Sequence, residues 1–295
     1  MASLSTLFKR LYLLFSIGFL LLLYFVLKKK SFTSPDTGYS YTYKGEIERF
    51  QTSTNMNSPS IKLIPMPKSI DYEQSTIILS PNDFRIIVSQ TDSNDLQLAI
   101  DRFSKYISIL LGNAANISQP TNTLNNTLVI DCPSIVSEKD SYPTLREDES
   151  YTLNVTKSGM RLHAASITGV IRGLSTFVQL IERDSSINKN YVPLVNIFDQ
   201  PRFAWRGLML DVSRHWMPLA VVERTLNVME LSKFNVLHLH LSDDQGFRVE
   251  SIQHPLLHDG KDYFTQKDIR HIVEYARQRR IRIVPEFDIP GHTTR

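Results

Sequence analysis
Three apolar runs separated by two amphipathic stretches constrain this chain more than any other feature. GLMLDVS (207–213), NVLHLHLSDD (235–244) and IRIVPEFD (281–288) are strand-like. Between the first two, a helix opens at Pro218, a favoured first-turn position, and runs to about Phe234. A second helix starts at Thr265, where Thr265-x-x-Asp268 has the form of a capping box, and presents Ile269, Ile272, Val273 and Ala276. Alternation of this kind demands a parallel sheet, either doubly wound or a (β/α)8 barrel. No glycine-rich phosphate loop follows the first strand, which counts against a dinucleotide-binding fold.

The segment before it, from Ile61 to Asp199, has another rhythm. Short β-type runs appear as TIILS (76–80), FRIIVS (84–89) and NTLVIDC (126–132), and SYTLNV and MRLHAA flank Lys157-Ser158-Gly159 as a hairpin. One helix is expected over Leu96–Leu111, with Leu96, Ile100, Phe103, Ile107 and Leu110 on one stripe. Another is expected over Thr168–Glu182, carrying Val170, Ile171, Leu174, Phe177, Val178 and Ile181. Strands with helices packed to one side make an α+β domain over 61–199, followed by an α/β domain over 200–295. No catalytic constellation is visible in the first domain, and the carboxylates of REDES (146–150) receive no catalytic role.

Residues 1–30 and 31–60 are of other kinds. Leu11–Leu27 carries no charge over 17 residues, with Lys9-Arg10 before it and Lys28–Lys30 after. As a helix it covers about 26 Å, enough for a thin bilayer. No small-x-small cleavage site follows, so a single-pass anchor is favoured over a cleaved signal peptide. Residues 31–60 are polar and Ser/Thr-rich, and read as a stem. The net charge is +3. With the five N-terminal cations set aside the rest is close to neutral, which excludes a nucleic-acid-binding field. The single cysteine, Cys132, forbids an internal disulfide and fits a cytosolic protein without excluding a lumenal one. The three lysines after the apolar run would hold the body in the cytosol. Sequons at Asn116, Asn125 and Asn154 point to the lumen, although each alone also describes a polar surface loop. The expectation is a type II membrane protein with a lumenal or extracellular body.

Polar residues crowd the C-terminal tip of each strand of the second domain, where barrel enzymes keep their chemistry. Arg214 could fork onto two sugar hydroxyls or a carboxylate, or form a salt bridge to Asp211. Of the adjacent Asp243 and Asp244, one is expected to face the pocket and the other to brace the loop. Asp243 and His292, from different strand tips, could meet as a hydrogen-bonded pair. A rival reading rests on His238 and His240, which share one strand face as zinc ligands do in several metal-dependent hydrolases. Glu286, Asp288 and His292 could complete such a site. The alternative is a pair of core histidines in a polar interior layer.

Set together, RGLMLDVSRHWMPL (206–219), KFNVLHLHLSDDQGFRVES (233–251) and YARQRRIRIVPEFDIPGH (275–292) resemble the family 20 glycoside hydrolases, the β-N-acetylhexosaminidases. ESYTLNV and GVIRGLSTFVQLIE resemble the end of that family's N-terminal α+β domain. The resemblance implies hydrolysis of terminal GlcNAc or GalNAc from glycans by a substrate-assisted retaining mechanism, and no metal or cofactor. It implies that Arg214 binds hydroxyls of the terminal sugar, that Asp243 pairs with His292, and that His240 and Asp288 support the site. It also admits a homodimer for the full-length family.

In the family, an Asp-Glu pair after Gly-Gly on the fourth barrel strand holds the acetamido group and supplies the general acid. No such run occurs in these 295 residues. The expectation is therefore an N-terminal part of a hexosaminidase carrying the first three β/α units of an incomplete barrel. Alone it is expected to be inactive, the alternative being a catalytically dead sugar-binding remnant.

Overall fold
The structure, a computed structural model, describes residues 63–293 apart from 81–82, 90–92, 112–115, 118–125, 134–141, 185–186, 259 and 261. The apolar run Leu11–Leu27, the stem over 31–60 and the sequon at Asn125 lie outside the described residues. No helix among the described residues is long and apolar enough to cross a membrane. Residues Pro59–Arg295 form one compact unit, so the two expected domains share a body.

The first half is a mixed sheet. Its strands are β1 (Ser69–Leu79), β2 (Arg85–Val88), β3 (Asn116–Ile117), β4 (Thr127–Asp131), β5 (Tyr151–Thr156), β6 (Gly159–His163), β7 (Glu182–Asp184) and β8 (Lys189–Asp199). They run in the order β1-β8-β5-β6-β4-β2-β3, with β7 paired to β8. β5 and β6 form the expected hairpin, pairing antiparallel from Thr152↔His163 to Thr156↔Gly159. Residues along β5 alternate between buried and partly exposed, so the sheet has one covered face.

Two helices cover that face, α1 (Asn94–Leu111) and α2 (Ile167–Leu180). The stripe expected on α1 holds except at its end: Leu111 is buried and Leu110 is exposed. Ser166 caps α2 by accepting from the Gly169 amide at 2.9 Å. A Cβ at Gly169 would stand 2.3 Å from the Ser150 carbonyl oxygen, so glycine permits the close approach of α2 to the sheet. The core between these layers runs through Phe84, Phe103, Leu128, Leu153, Leu162, Leu174 and Phe177, and includes the free Cys132.

The second half follows the predicted alternation. Strands β9 (Gly207–Asp211), β10 (Val236–Asp243) and β12 (Arg282–Phe287) are parallel, with β10 in the middle. Helix α3 (Leu219–Leu231) links β9 to β10, and α4 (Gln266–Arg277) leads into β12. Pro218 stands at the N-cap of α3, one position before the first-turn place expected of it. Thr265 and Asp268 form the expected capping box on α4. A short strand β11 (Gly246–Phe247) folds back antiparallel on the end of β10.

What joins the halves is polar. Most of α2 is buried, because the sheet lies on one side of it and α3 on the other. Arg172, in its middle, donates to Glu149 at 2.7 Å and to the Arg280 carbonyl at 3.1 Å. Glu149 also accepts from Arg206 and from Asn235. Burial alone pushes the Glu149 carboxyl up, but Arg172 and Arg206 outweigh it and hold it below its ordinary range. Nearby, Lys233 donates to Asp199 at 2.7 Å and to the Tyr151 hydroxyl at 2.8 Å. Arg102 of α1 pairs with the buried Glu230 of α3 at 2.7 Å, and Arg277 of α4 reaches Asp95 of α1 at 2.8 Å. The acidic run given no catalytic role thus supplies the centre of the seam.

Candidate active site
The site is built by register. In the parallel sheet Asp211 of β9, His240 of β10 and Glu286 of β12 are Cα partners in one row. Their side chains therefore point to the same face. His240 is 2% exposed, and its Nδ1 lies 3.1 Å from Glu286 Oε2 while its Nε2 lies 3.2 Å from Asp243 Oδ2. His238, two residues back on the same face, pairs with the same Glu286 carboxylate. The two histidines thus share a carboxylate in a polar layer beneath the strand tips.

Above that row sits a hub. Asp243, the last residue of β10, has a side chain only 1% exposed. Arg214 pairs with its Oδ2, and His292 Nδ1 lies 3.3 Å from its Oδ1. The Asp244 amide donates to Asp243 Oδ1 at 2.7 Å, while Asp244 itself is exposed. The two side chains part: that of Asp243 is buried beneath the strand tips, and Asp244 lies exposed in the turn that follows.

Arg214 does not choose between its two readings. Its guanidinium donates to Asp211 Oδ2 at 2.6 Å as well as pairing with Asp243, yet it stays 45% exposed. Asp211 Oδ1 accepts from the amides of Ser213 and Arg214 at 3.1 and 3.0 Å, so the same carboxylate shapes the turn and orients the side chain it carries. His292 is more exposed, at 54%, and adopts a positive φ of 57°. Its turn follows Asp288, whose amide donates to Ser242 Oγ at 3.2 Å.

The charges are mutually dependent. Burial pushes the Asp243 carboxyl up, but the Asp244 amide, His240, Arg214 and His292 outweigh it and hold it below the usual carboxylate range. The His240 imidazole beside it holds Glu286 low in the same way. Burial pulls the His240 imidazole down, and the neighbouring carboxylates of Glu286 and Asp243 more than compensate, leaving it above its ordinary value. An imidazolium between two carboxylates is therefore the favoured state of this layer at mildly acid pH.

The structure brings together Arg214, Asp243, His292, His240 and Asp288. Among the described residues, those grouped closely enough to share an ion are His240, Glu286 and Asp288, and separately Asp243, Asp288 and His292. His238 belongs to neither group and stands beside His240 in the polar layer through their shared Glu286. Of the sequons, Asn154 sits partly buried within β5, paired with Asn196 and Arg161, and not in a surface loop. Asn116 lies in β3. Sequence reasoning considered Glu286 only as a metal ligand and missed its place under both histidines. Aligning the three parallel strands would have found it.

The fold and the site define a class, a parallel α/β scaffold with a carboxylate–imidazole–guanidinium cluster at the tips of its strands. Comparison with known proteins narrows this. The family model described as "Glycosyl hydrolase family 20, catalytic domain" matches residues 203–295, and "beta-acetyl hexosaminidase like" matches 63–180. The chain is 36% identical over 249 residues to the β-hexosaminidase subunit β of Homo sapiens, covering 80% of this chain and 44% of that protein. Among solved structures, the chitobiase of Flavobacterium johnsoniae aligns at 39% identity with a TM-score of 0.68, over 78% of this chain and 35% of that one. A mutant β-hexosaminidase of Streptomyces plicatus in complex with product GlcNAc aligns at 29% identity and a TM-score of 0.67, over 80% and 47% of the two chains. The chain belongs to glycoside hydrolase family 20. It spans less than half the length of these relatives.

Proposed function
We propose that this chain carries the sugar-binding side of a β-N-acetylhexosaminidase that releases terminal GlcNAc or GalNAc from glycans. The observation that carries the reading is the convergence of Arg214 and His292, from two different strand tips, on the buried Asp243. In this reading residues 200–295 are the first three β/α units of a (β/α)8 barrel, and 61–199 the α+β domain before them. Arg214 has an exposed guanidinium edge for sugar hydroxyls, and its two carboxylate partners fix that edge in advance. Asp243 orients His292, while His240 and Asp288 brace the hub from below and beside it.

The reaction itself is substrate-assisted and retaining: the 2-acetamido oxygen attacks the anomeric carbon, and a carboxylic acid protonates the leaving oxygen. The Asp-Glu pair that in the family holds the acetamido group and supplies the acid has no counterpart in the sequence here. The 295-residue polypeptide is accordingly expected to bind GlcNAc without turning over a chromogenic N-acetylglucosaminide. The same reading takes Leu11–Leu27 as a type II anchor with the body lumenal or extracellular. It takes Asn116, Asn125 and Asn154 as glycosylation acceptors and a homodimer as the full-length assembly.

A calorimetric titration of the full chain with GlcNAc tests the reading. Saturable binding, at least about tenfold weaker in Arg214→Ala, is expected for loss of a bidentate charged contact. Equal affinity in the two proteins would remove Arg214 from the sugar site, and hydrolysis by the wild type would show that an acid has been overlooked.

A further inference from the structure
We propose that Arg248 is a positioning residue for Arg214, an inference that rests on Arg214 being the sugar ligand. Arg248 follows β11, and its guanidinium serves three backbone carbonyls. Its Nε and Nη2 donate to the Ser213 carbonyl at 3.3 and 3.0 Å, Nη2 also reaches the Gln245 carbonyl at 3.4 Å, and Nη1 donates to the Asp262 carbonyl at 3.1 Å. One guanidinium thus ties the turn before Arg214, the turn after Asp243 and the loop leading to α4. The planar fork of arginine can serve three carbonyls at once, which a lysine ammonium cannot do with the same geometry.

The neighbours are arranged around that fork. Ser213 is fully buried, its hydroxyl donates to the Gly246 carbonyl at 2.5 Å, and its own carbonyl takes two of the Arg248 bonds. A buried carbonyl without a donor is costly, so losing Arg248 would favour rotation of the Ser213–Arg214 peptide. The Trp216 ring lies 6.0 Å from the guanidinium. Gly246, the Cα partner of Asp243, leaves room for it: a Cβ there would stand 2.4 Å from Arg248 Cζ. Asp211 holds the amide of Arg214 from one side, and Arg248 holds the carbonyl preceding it from the other. Only the side chain of Arg214 is then left to respond to a ligand.

The test is a double-variant cycle in the full chain, titrated with GlcNAc and followed by hydrogen exchange at the amides of residues 212–216. Arg248→Ala is expected to weaken GlcNAc binding about fivefold to tenfold and to speed exchange at Ser213 and Arg214. Gly246→Ala keeps the guanidinium but displaces it, and is expected to act in the same direction, which covers the case of a poorly folding Arg248→Ala. In an Arg214→Ala background the Arg248→Ala effect on binding is expected to vanish, as a merely structural residue would not require. Equal losses in both backgrounds, or unchanged affinity with unchanged exchange, would overturn the proposal. A wild type that does not bind GlcNAc refutes the sugar-binding reading instead, and the exchange at Ser213 and Arg214 then decides the role of Arg248 alone.

Discussion
The seam between the two sheets and the strand surfaces beside the site place opposite residue types in opposite surroundings: charges are buried in the one and apolar side chains exposed on the other. In the seam, Arg172, Glu149, Lys233, Asp199 and Glu230 are buried and each is paired. Along β9 and β12 apolar side chains face outward: Leu208, Met209 and Phe287 are all exposed. Buried charges tolerate no loss of a partner, whereas exposed apolar residues tolerate almost any exchange. The difference teaches where the rigidity of this molecule resides. The seam braces the starts of β9, β10 and β12 through Arg206, Asn235 and Arg280, while the tips bearing Arg214, Asp243 and His292 rest on the polar row beneath them.

That contrast is broken most severely at Arg172. Arg172→Ala leaves Glu149 buried with one cation fewer and the Arg280 carbonyl without its donor, and is expected to cost about 3–5 kcal/mol in thermal or denaturant unfolding. A loss below about 1 kcal/mol would mean that the seam is not what joins the halves. Next in size is Gly169→Ala, which forces a methyl group against the Ser150 carbonyl and is expected to cost about 1–3 kcal/mol by the same measurement. At the other extreme, Met209→Gln on the open strand is expected to change stability by less than about 0.5 kcal/mol. A larger effect would show that β9 is covered.

The polar row sharpens the comparison through pH. Asp243 and Glu286 have lowered pKa values, so their stabilising contribution is present above the ordinary carboxylate range and fades as pH falls through their folded values. His240 has a raised pKa, so its contribution is full below the ordinary imidazole value and fades as pH rises through its folded value. The layer is therefore most stabilising in a mildly acid window, between about pH 4.5 and 6.5. Thermal unfolding followed against pH should peak there, and His240→Asn should flatten the fall on the alkaline side. An unchanged alkaline limb would assign that fall to another group.

How much of this was legible in the sequence depended on range. Periodicity found the four α-helices among the described residues, and the capping box fixed the start of α4. Strand β8 went unread because Pro193 interrupts its alternation and reads as a strand breaker, although there it lies opposite Thr76 of the edge strand β1. The hub was visible because polar residues at strand tips have one place to go in a parallel sheet. The row Asp211–His240–Glu286 was not, since it appears only once register is assigned. The seam was least legible: Arg102 and Glu230 stand 128 residues apart, and no local pattern marks them as partners. Glu149 looked like one more acid in a polar loop until Arg172 and Arg206 were seen to meet it.

The central claim is that Asp243 is the hub through which Arg214 and His292 act together, and a binding cycle tests it directly. GlcNAc affinity is measured for the wild type, Asp243→Asn, Arg214→Ala and the double variant. Each single change is expected to weaken binding about tenfold, and the double variant to be scarcely weaker than either, because both remove one arrangement. Losses that simply multiply to about a hundredfold would contradict the claim and make the two residues independent contributors.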